Sequence, residues 1–151
     1  MTITGKLVRF LRSGVKRELG ASVAVLQIEL DTNIDRETYY GALARFDAAR
    51  TLLDAIGVSD KPEPQDVELD LGRWPRLVLK ALESQYDAEL VRLEDAHAGG
   101  FDLPTRDVPA LGCLVADIRE KVGAPPRRER QQSFLERQLA RRRTRRSRGD
   151  G

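Results

Sequence analysis

Residues 35–57 read DRETYYGALARFDAARTLLDAIG, and this stretch decides the fold. Tyr39, Leu43, Phe46, Leu53 and Ile56 recur at spacings of three, four and seven, while Arg36, Glu37, Arg45, Asp47, Arg50 and Asp54 take other faces. That is the period of an amphipathic helix over residues 36–56. Asp35 is placed to accept hydrogen bonds from the first backbone amides, Ile34 to act as an apolar staple before them, and Gly57 to end the helix.

Working back toward the N-terminus, Val15, Leu19, Val23, Leu26 and Leu30 also recur at helical spacing, although Val23, Val25 and Leu26 favour a strand. The flanking helix formers Lys16, Arg17, Glu18 and Leu19 and a short link to Asp35 select a helix and an αα-hairpin. Gly14 or Gly20 inside it costs roughly 1 kcal/mol relative to Ala. Ahead of that, Leu7, Val8, Phe10 and Leu11 alternate with Lys6, Arg9, Arg12, Lys16 and Arg17. A basic amphipathic segment of this kind suits an anionic membrane surface. The stretch is short, and packing of its apolar side on a helix bundle is the preferred reading, giving one helix over about residues 6–31.

Beyond Gly57, Pro62 and Pro64 fix an extended connection. Val67, Leu69 and Leu71 alternate with Glu68 and Asp70, but no other segment offers itself as a strand partner, so this reads as an extended loop with three anchoring side chains. A third helix is expected over about 74–98, with Pro75 in its first turn, Leu77, Val78, Ala81, Leu82, Leu90 and Leu93 inward, and Gly99 and Gly100 stopping it. A fourth, over about 107–122, carries Val108, Leu111, Val115, Ile118 and Val122 and ends at Gly123, Pro125 and Pro126. The expected fold is all-α: a small four-helix bundle followed by a basic C-terminal helix or tail, partly disordered.

The 151 residues fit a single small core and leave no room for a cofactor domain. With 40% hydrophobic and 33% charged residues the chain is too apolar for wholesale disorder and too charged to span a membrane. The net charge of +2 hides three unlike segments. Residues 1–20, a basic amphipathic arm, carry +4; residues 21–126, an acidic helical core, carry −9; residues 127–151, an Arg-rich tail, carry +7. The Arg preference also fits a GC-rich bacterial coding sequence. Cys113 is the only cysteine, which excludes an internal disulfide and a thiolate zinc site and suits a reducing cytoplasm.

No residue constellation announces catalysis, and no catalytic, metal or cofactor role is assigned. His97, the only histidine, reads as a solvated side chain at a helix C-terminus rather than a metal ligand. Cys113, beside the apolar stripe of the fourth helix, reads as a small buried hydrophobe. Asp66, Glu68 and Asp70 alternate to one side as a solvated acidic face. Tyr39, Tyr40, Trp74 and Tyr86 read as core or rim packing. Gly-rich phosphate loops and nucleophile-elbow serines are missing from the sequence.

The tail is the informative segment. Arg141, Arg142, Arg143, Arg145, Arg146 and Arg148 form a site for an acidic partner or for phosphates, and Phe134, Leu135 and Leu139 form a small cluster for docking on a partner or on the bundle. The expected function is a non-catalytic helical interaction module, with an acidic body that binds a protein partner or itself and the tail as a docking or clamp segment. The alternative is an accessory protein that binds DNA or RNA non-specifically through residues 127–148. Engaging about five phosphates of duplex DNA would give a log–log salt slope of roughly −4.5.

Overall fold

The computed structural model describes residues 1–32, 35–58, 65–103 and 107–127. The chain is a small all-α four-helix fold, 76% helical over those residues. Its helices are α1 (Gly5–Thr32), α2 (Arg36–Ile56), α3 (Pro75–Ala98) and α4 (Asp107–Lys121), within a residue or so of the spans that periodicity predicts. Ile34, Pro62, Pro64 and the tail beyond Arg127 lie outside the described residues. Two compact units divide the chain, Met1–Gln85 and Tyr86–Gly151, and α3 runs through the boundary.

The first unit departs from expectation at residues 67–68. Here β1 (Thr2–Ile3) pairs antiparallel with β2 (Val67–Glu68), with Thr2 opposite Glu68 and Ile3 opposite Val67. The segment taken for an unpartnered loop therefore has a partner in the first residues of the chain, too short a strand for alternation to reveal. The pairing is anchored by burial of Ile3 and Leu69, and the Leu69 amide donates to the Met1 carbonyl at 2.8 Å. The strap also starts α1: the Gly5 amide, one of the donors a helix leaves unpaired at its N-terminus, gives its hydrogen bond to Asp66 Oδ1 at 2.8 Å.

Between them, α1 and α2 form an antiparallel hairpin. Asp35 caps α2 as predicted, accepting from the Glu37 amide at 3.0 Å and from the Thr38 hydroxyl at 2.7 Å; these bonds, the Thr38 one first, hold its carboxyl below the ordinary carboxylate range. At the other end of α2, Gly57 adopts a φ of 85°, which turns the last carbonyls toward α1. Buried Arg12 meets them, its Nε 2.7 Å from the Gly57 oxygen and its Nη2 3.1 Å from the Ile56 oxygen, and Lys16 Nζ reaches the Val58 oxygen at 2.8 Å. A cationic fork at a helix C-terminus satisfies orphan carbonyls and opposes the negative end of the dipole.

The core of this unit contains Ile3, Val8, Leu11 and Val15 from the N-terminal segment, Leu52 from α2, and Val78 and Leu82 from α3, all under 2% exposed. Each contributes roughly 1.5–3 kcal/mol of apolar burial. The segment read as a basic arm thus supplies apolar side chains to the core. Glycine is needed where α1 meets α3, because a Cβ on Gly14 would stand 2.4 Å from the Ala81 carbonyl oxygen. Glu18 and Lys80 pair at 3.0 Å close to that crossing.

Two apolar faces sit differently from expectation. On α2 the buried line is Ala42, Ala49, Leu52, Leu53 and Ile56, leaving Tyr39, Leu43 and Phe46 half-buried. On α1 it is Ser22, not Val23, that is buried after Val15, its hydroxyl donating to the Glu18 carbonyl at 2.9 Å. The cause is arithmetic. A helix turns about 100° per residue, so Ser22 returns to within about 20° of Val15 whereas Val23 lies about 80° round.

In the second unit, Leu90, Leu93 and Val108 cluster with half-buried Tyr86 and Leu103. Leu111, Leu114, Val115 and Ile118 of α4 are buried. Both α3 and α4 end in the paired bonds of a Schellman motif: the Phe101 amide to the Ala96 carbonyl and Gly100 to His97, then Ala124 to Arg119 and Gly123 to Glu120.

Two predictions follow from α1. Gly14→Ala should lose about 1–3 kcal/mol by forcing apart α1 and α3, whereas Gly20→Ala, where nothing lies within 4 Å, should gain roughly 0.5–1 kcal/mol from helix propensity. Urea unfolding of the two variants reads both signs. By the same measurement Arg12→Met, which keeps much of the volume but strands the Ile56 and Gly57 carbonyls, should cost about 1–3 kcal/mol.

Candidate interaction surface

The residues singled out from sequence do not converge on one another. Arg141, Arg142, Arg143, Arg145, Arg146, Arg148, Phe134, Leu135 and Leu139 lie outside the described residues. His97 is half-buried in the last turn of α3. Among the described residues no three His, Cys, Asp or Glu side chains are grouped to hold a metal ion, and no helix is long and apolar enough to cross a membrane.

Cys113 is exposed, contrary to its reading as a buried hydrophobe. It follows Leu111 by two positions, a rotation of about 200°, and so stands across α4 from the buried line of Leu111, Val115 and Ile118. The acidic residues Asp66, Glu68 and Asp70 are exposed, as expected, and each also holds a local hydrogen bond. Asp66 caps α1, Glu68 accepts from the Thr2 hydroxyl, which lowers its carboxyl below the ordinary range, and Asp70 accepts from the Gly72 amide at 3.1 Å in the turn before α3. Trp74 is buried at the start of α3 under the Arg73 guanidinium, 4.5 Å from its ring. Arg127, the first residue of the tail, is described: its guanidinium pairs with Asp87 and lies 5.2 Å from the Tyr86 ring centroid, with one Nη buried and without a hydrogen-bond partner.

Four of the exposed large apolar side chains, Val23, Ile28, Leu30 and Tyr40, belong to the far end of the α1–α2 hairpin. The last buried residue of α1 is Ser22 and the first of α2 is Ala42. Residues 23–32 of α1 therefore extend roughly 15 Å beyond the core. They are held by local bonds, Asp35 amide to Glu29 Oε2 at 3.0 Å across the turn and Gln27 to Asp31 at 3.2 Å. Yet this end is apolar. Val23 is 47% and Leu30 66% exposed, and Leu19, Leu26, Tyr39, Leu43 and Phe46 are half-buried.

These side chains form two stripes. Leu19, Val23, Leu26 and Leu30, spaced four, three and four, fall within an arc of about 60° on α1; Tyr39, Leu43 and Phe46, spaced four and three, do the same on α2. The average period over the two stripes is about 3.6, that of the α-helix itself. Arg12, whose guanidinium reaches the Ile56 and Gly57 carbonyls of α2, lies about 80° round from Ser22 and so on the same side of α1 as its stripe, whereas Gly14, where α1 meets α3, is rotated the opposite way.

Sequence periodicity found these residues but assigned them to the core.

Set against known proteins, the chain matches no protein family, no curated protein and no solved structure.

Exposure of Cys113 is directly measurable. In the native protein it should react with an aromatic disulfide reagent to completion without denaturant, at a rate close to that of the unfolded chain. Reaction only after unfolding would place the thiol in the interior.

Proposed function

We propose that the protein is a non-catalytic helical interaction module of the cytoplasm, whose acidic helical body takes up a protein partner and whose Arg-rich tail acts as a docking or clamp segment. The observation that carries this reading is the set of exposed and half-buried apolar side chains at the far end of the α1–α2 hairpin, beyond the last buried residues of either helix. Apolar patches of this kind, rimmed by charge, are what helix-in-groove and helix-bundle partners bury. A charge of −9 over residues 21–126 beside +7 over 127–151 supports a partner with charges of both signs, or one held by the tail while the body engages it. The Arg-rich composition fits a bacterial source with a GC-rich genome.

A second reading rests on the tail sequence: an accessory protein that neutralises DNA or RNA phosphates through residues 127–148. The −9 body works against it, since a polyanion would be repelled over most of the core segment.

Affinity capture with the full chain and with a full-length variant carrying Ser at Arg141, Arg142, Arg143, Arg145, Arg146 and Arg148, each with and without nuclease, separates the readings. A protein partner retained after nuclease, and weakened by the six substitutions, is expected. Capture that disappears with nuclease would replace the interaction module by the nucleic-acid reading.

A further inference from the structure

The described residues end on a contact. Arg127 pairs with Asp87 and lies over the Tyr86 ring, so the first residue of the Arg-rich segment is already seated on α3. Its direction of travel follows from α4. Val108 clusters with Leu90 and Leu93, and a Cβ on Gly112 would stand 3.0 Å from the Tyr86 ring, so α4 runs antiparallel to α3. It continues to Lys121, about 14 Å past Gly112. After Gly123 the chain turns back: the Pro125 carbonyl accepts from Arg119 Nε at 2.7 Å, and Arg127 is level with Tyr86 again. Residues 123–127 therefore run parallel to α3, toward its C-terminal end. Pro125, a proline followed by a proline, is held in the extended polyproline conformation.

Ahead of Arg127 lies an open side of α3. Asp87, Val91, Glu94, Asp95 and Ala98 fall within an arc of about 100°. Glu94 is half-buried and the other four are exposed, Val91 by 55%. The remaining charged residues of this half of the helix lie off the strip: Arg92 pairs with Glu89 at 2.7 Å, and half-buried His97 stands on the flank of buried Leu93. The strip is thus acidic, with an apolar residue in its middle. Just past its end Phe101, 71% exposed, lies against Gly99. The spacing matches the residues that follow Arg127. A polyproline-type chain rises about 3.1 Å per residue and returns to the same side every third residue, against a rise of about 1.5 Å in a helix. Carried on from Arg127, it brings Arg130 to the same side about 9 Å on, level with Glu94 and Asp95 at about 11 and 12 Å past Asp87. Phe134 comes about 22 Å on, past Ala98 at about 17 Å and within reach of Phe101.

We propose that the Arg-rich tail clamps this chain's own α3: residues 128–134 continue along the exposed side of the helix, Arg130 meeting Glu94 and Asp95 and Phe134 covering Phe101. This rests on the interaction-module reading and says what the clamp closes on. The occupant is the tail because Arg127 already holds it beside the strip and its charge complements the strip's. Tethering keeps the segment at high effective concentration, so contacts that are weak singly suffice. Glu129, of the strip's own sign, falls a third of a turn off the side shared by Arg127 and Arg130. Residues 141–148 extend past the end of α3 and stay available to an acidic partner, whose capture of the tail would uncover the strip.

A nitroxide on Ser133→Cys in a full-length Cys113→Ser chain tests it, with paramagnetic broadening of backbone amides as the readout. Cys113 is exposed, so its replacement spares the core. In about 0.01 M salt, amides of residues 91–101 should lose most of their intensity while those of residues 118–121 keep theirs; in about 1 M salt, where the Debye length is about 3 Å, much of the loss should be reversed. Glu94→Lys with Asp95→Lys should release the tail at low salt. Helical circular dichroism should be unchanged, since cations suit a helix C-terminus. Adding Arg128→Glu and Arg130→Glu should bring the broadening back. Amides of residues 91–101 untouched by the label, broadening that survives the two lysines, or a charge swap that does not restore it would overturn the proposal. So would equal broadening of isotope-labelled chains that carry no nitroxide, which would make the occupant a second copy. A tail free of α3 on a chain that still captures a nuclease-resistant protein would remove the clamp and leave the interaction reading standing.

Discussion

A single guanidinium sets the geometry of the first unit. Arg12 is buried in α1 and its Nε and Nη2 donate to the Gly57 and Ile56 carbonyls, so the N-terminal half of one helix is tied to the C-terminal end of the next. A charge removed from water is costly unless its donors are matched, and a helix end of unpaired carbonyls carries the complementary demand. The two demands are met together. This contact fixes which residues of α1 stand level with which residues of α2, and hence where the buried part of the hairpin stops and where its projecting end begins.

The crossing at Gly14 completes the arrangement. With α3 held against α1 on one side, the buried lines of α1 and α2 run out at Ser22 and Ala42. Beyond them the apolar side chains are exposed or only half-buried. Ten residues of helix are marginal alone. A projecting hairpin of that length, with Val23 and Leu30 exposed and Tyr39, Leu43 and Phe46 half-buried, leaves apolar surface for a partner to cover.

Much of the fold was legible before any coordinate was seen. Helix spans followed from 3.6-residue periodicity and from Asp35, Gly57, Pro75 and Gly123 at the ends, because caps and breakers act locally. What periodicity could not supply was contact between distant segments. The Thr2–Ile3 strand is too short to announce itself, and Asp66 as a cap for α1 depends on a pairing across about sixty residues. Arg12 resembled its basic neighbours until its partners were visible. The interaction surface was half-legible: its residues were found, but a stripe at the helical period reads the same whether or not another element covers it. Cys113 was misplaced because closeness in sequence is not closeness on a helix: two positions from Leu111 is about 200° round, on the far face.

Hydrogen exchange of the intact chain and of Arg12→Met tests the central claim most directly, because it locates along the sequence what the guanidinium holds together. Amides of residues 5–15 and 49–56 should lose protection in the variant, while those of α4, in the second unit, should not change. Unchanged protection of α1 and α2, or a loss confined to α4, would contradict the account.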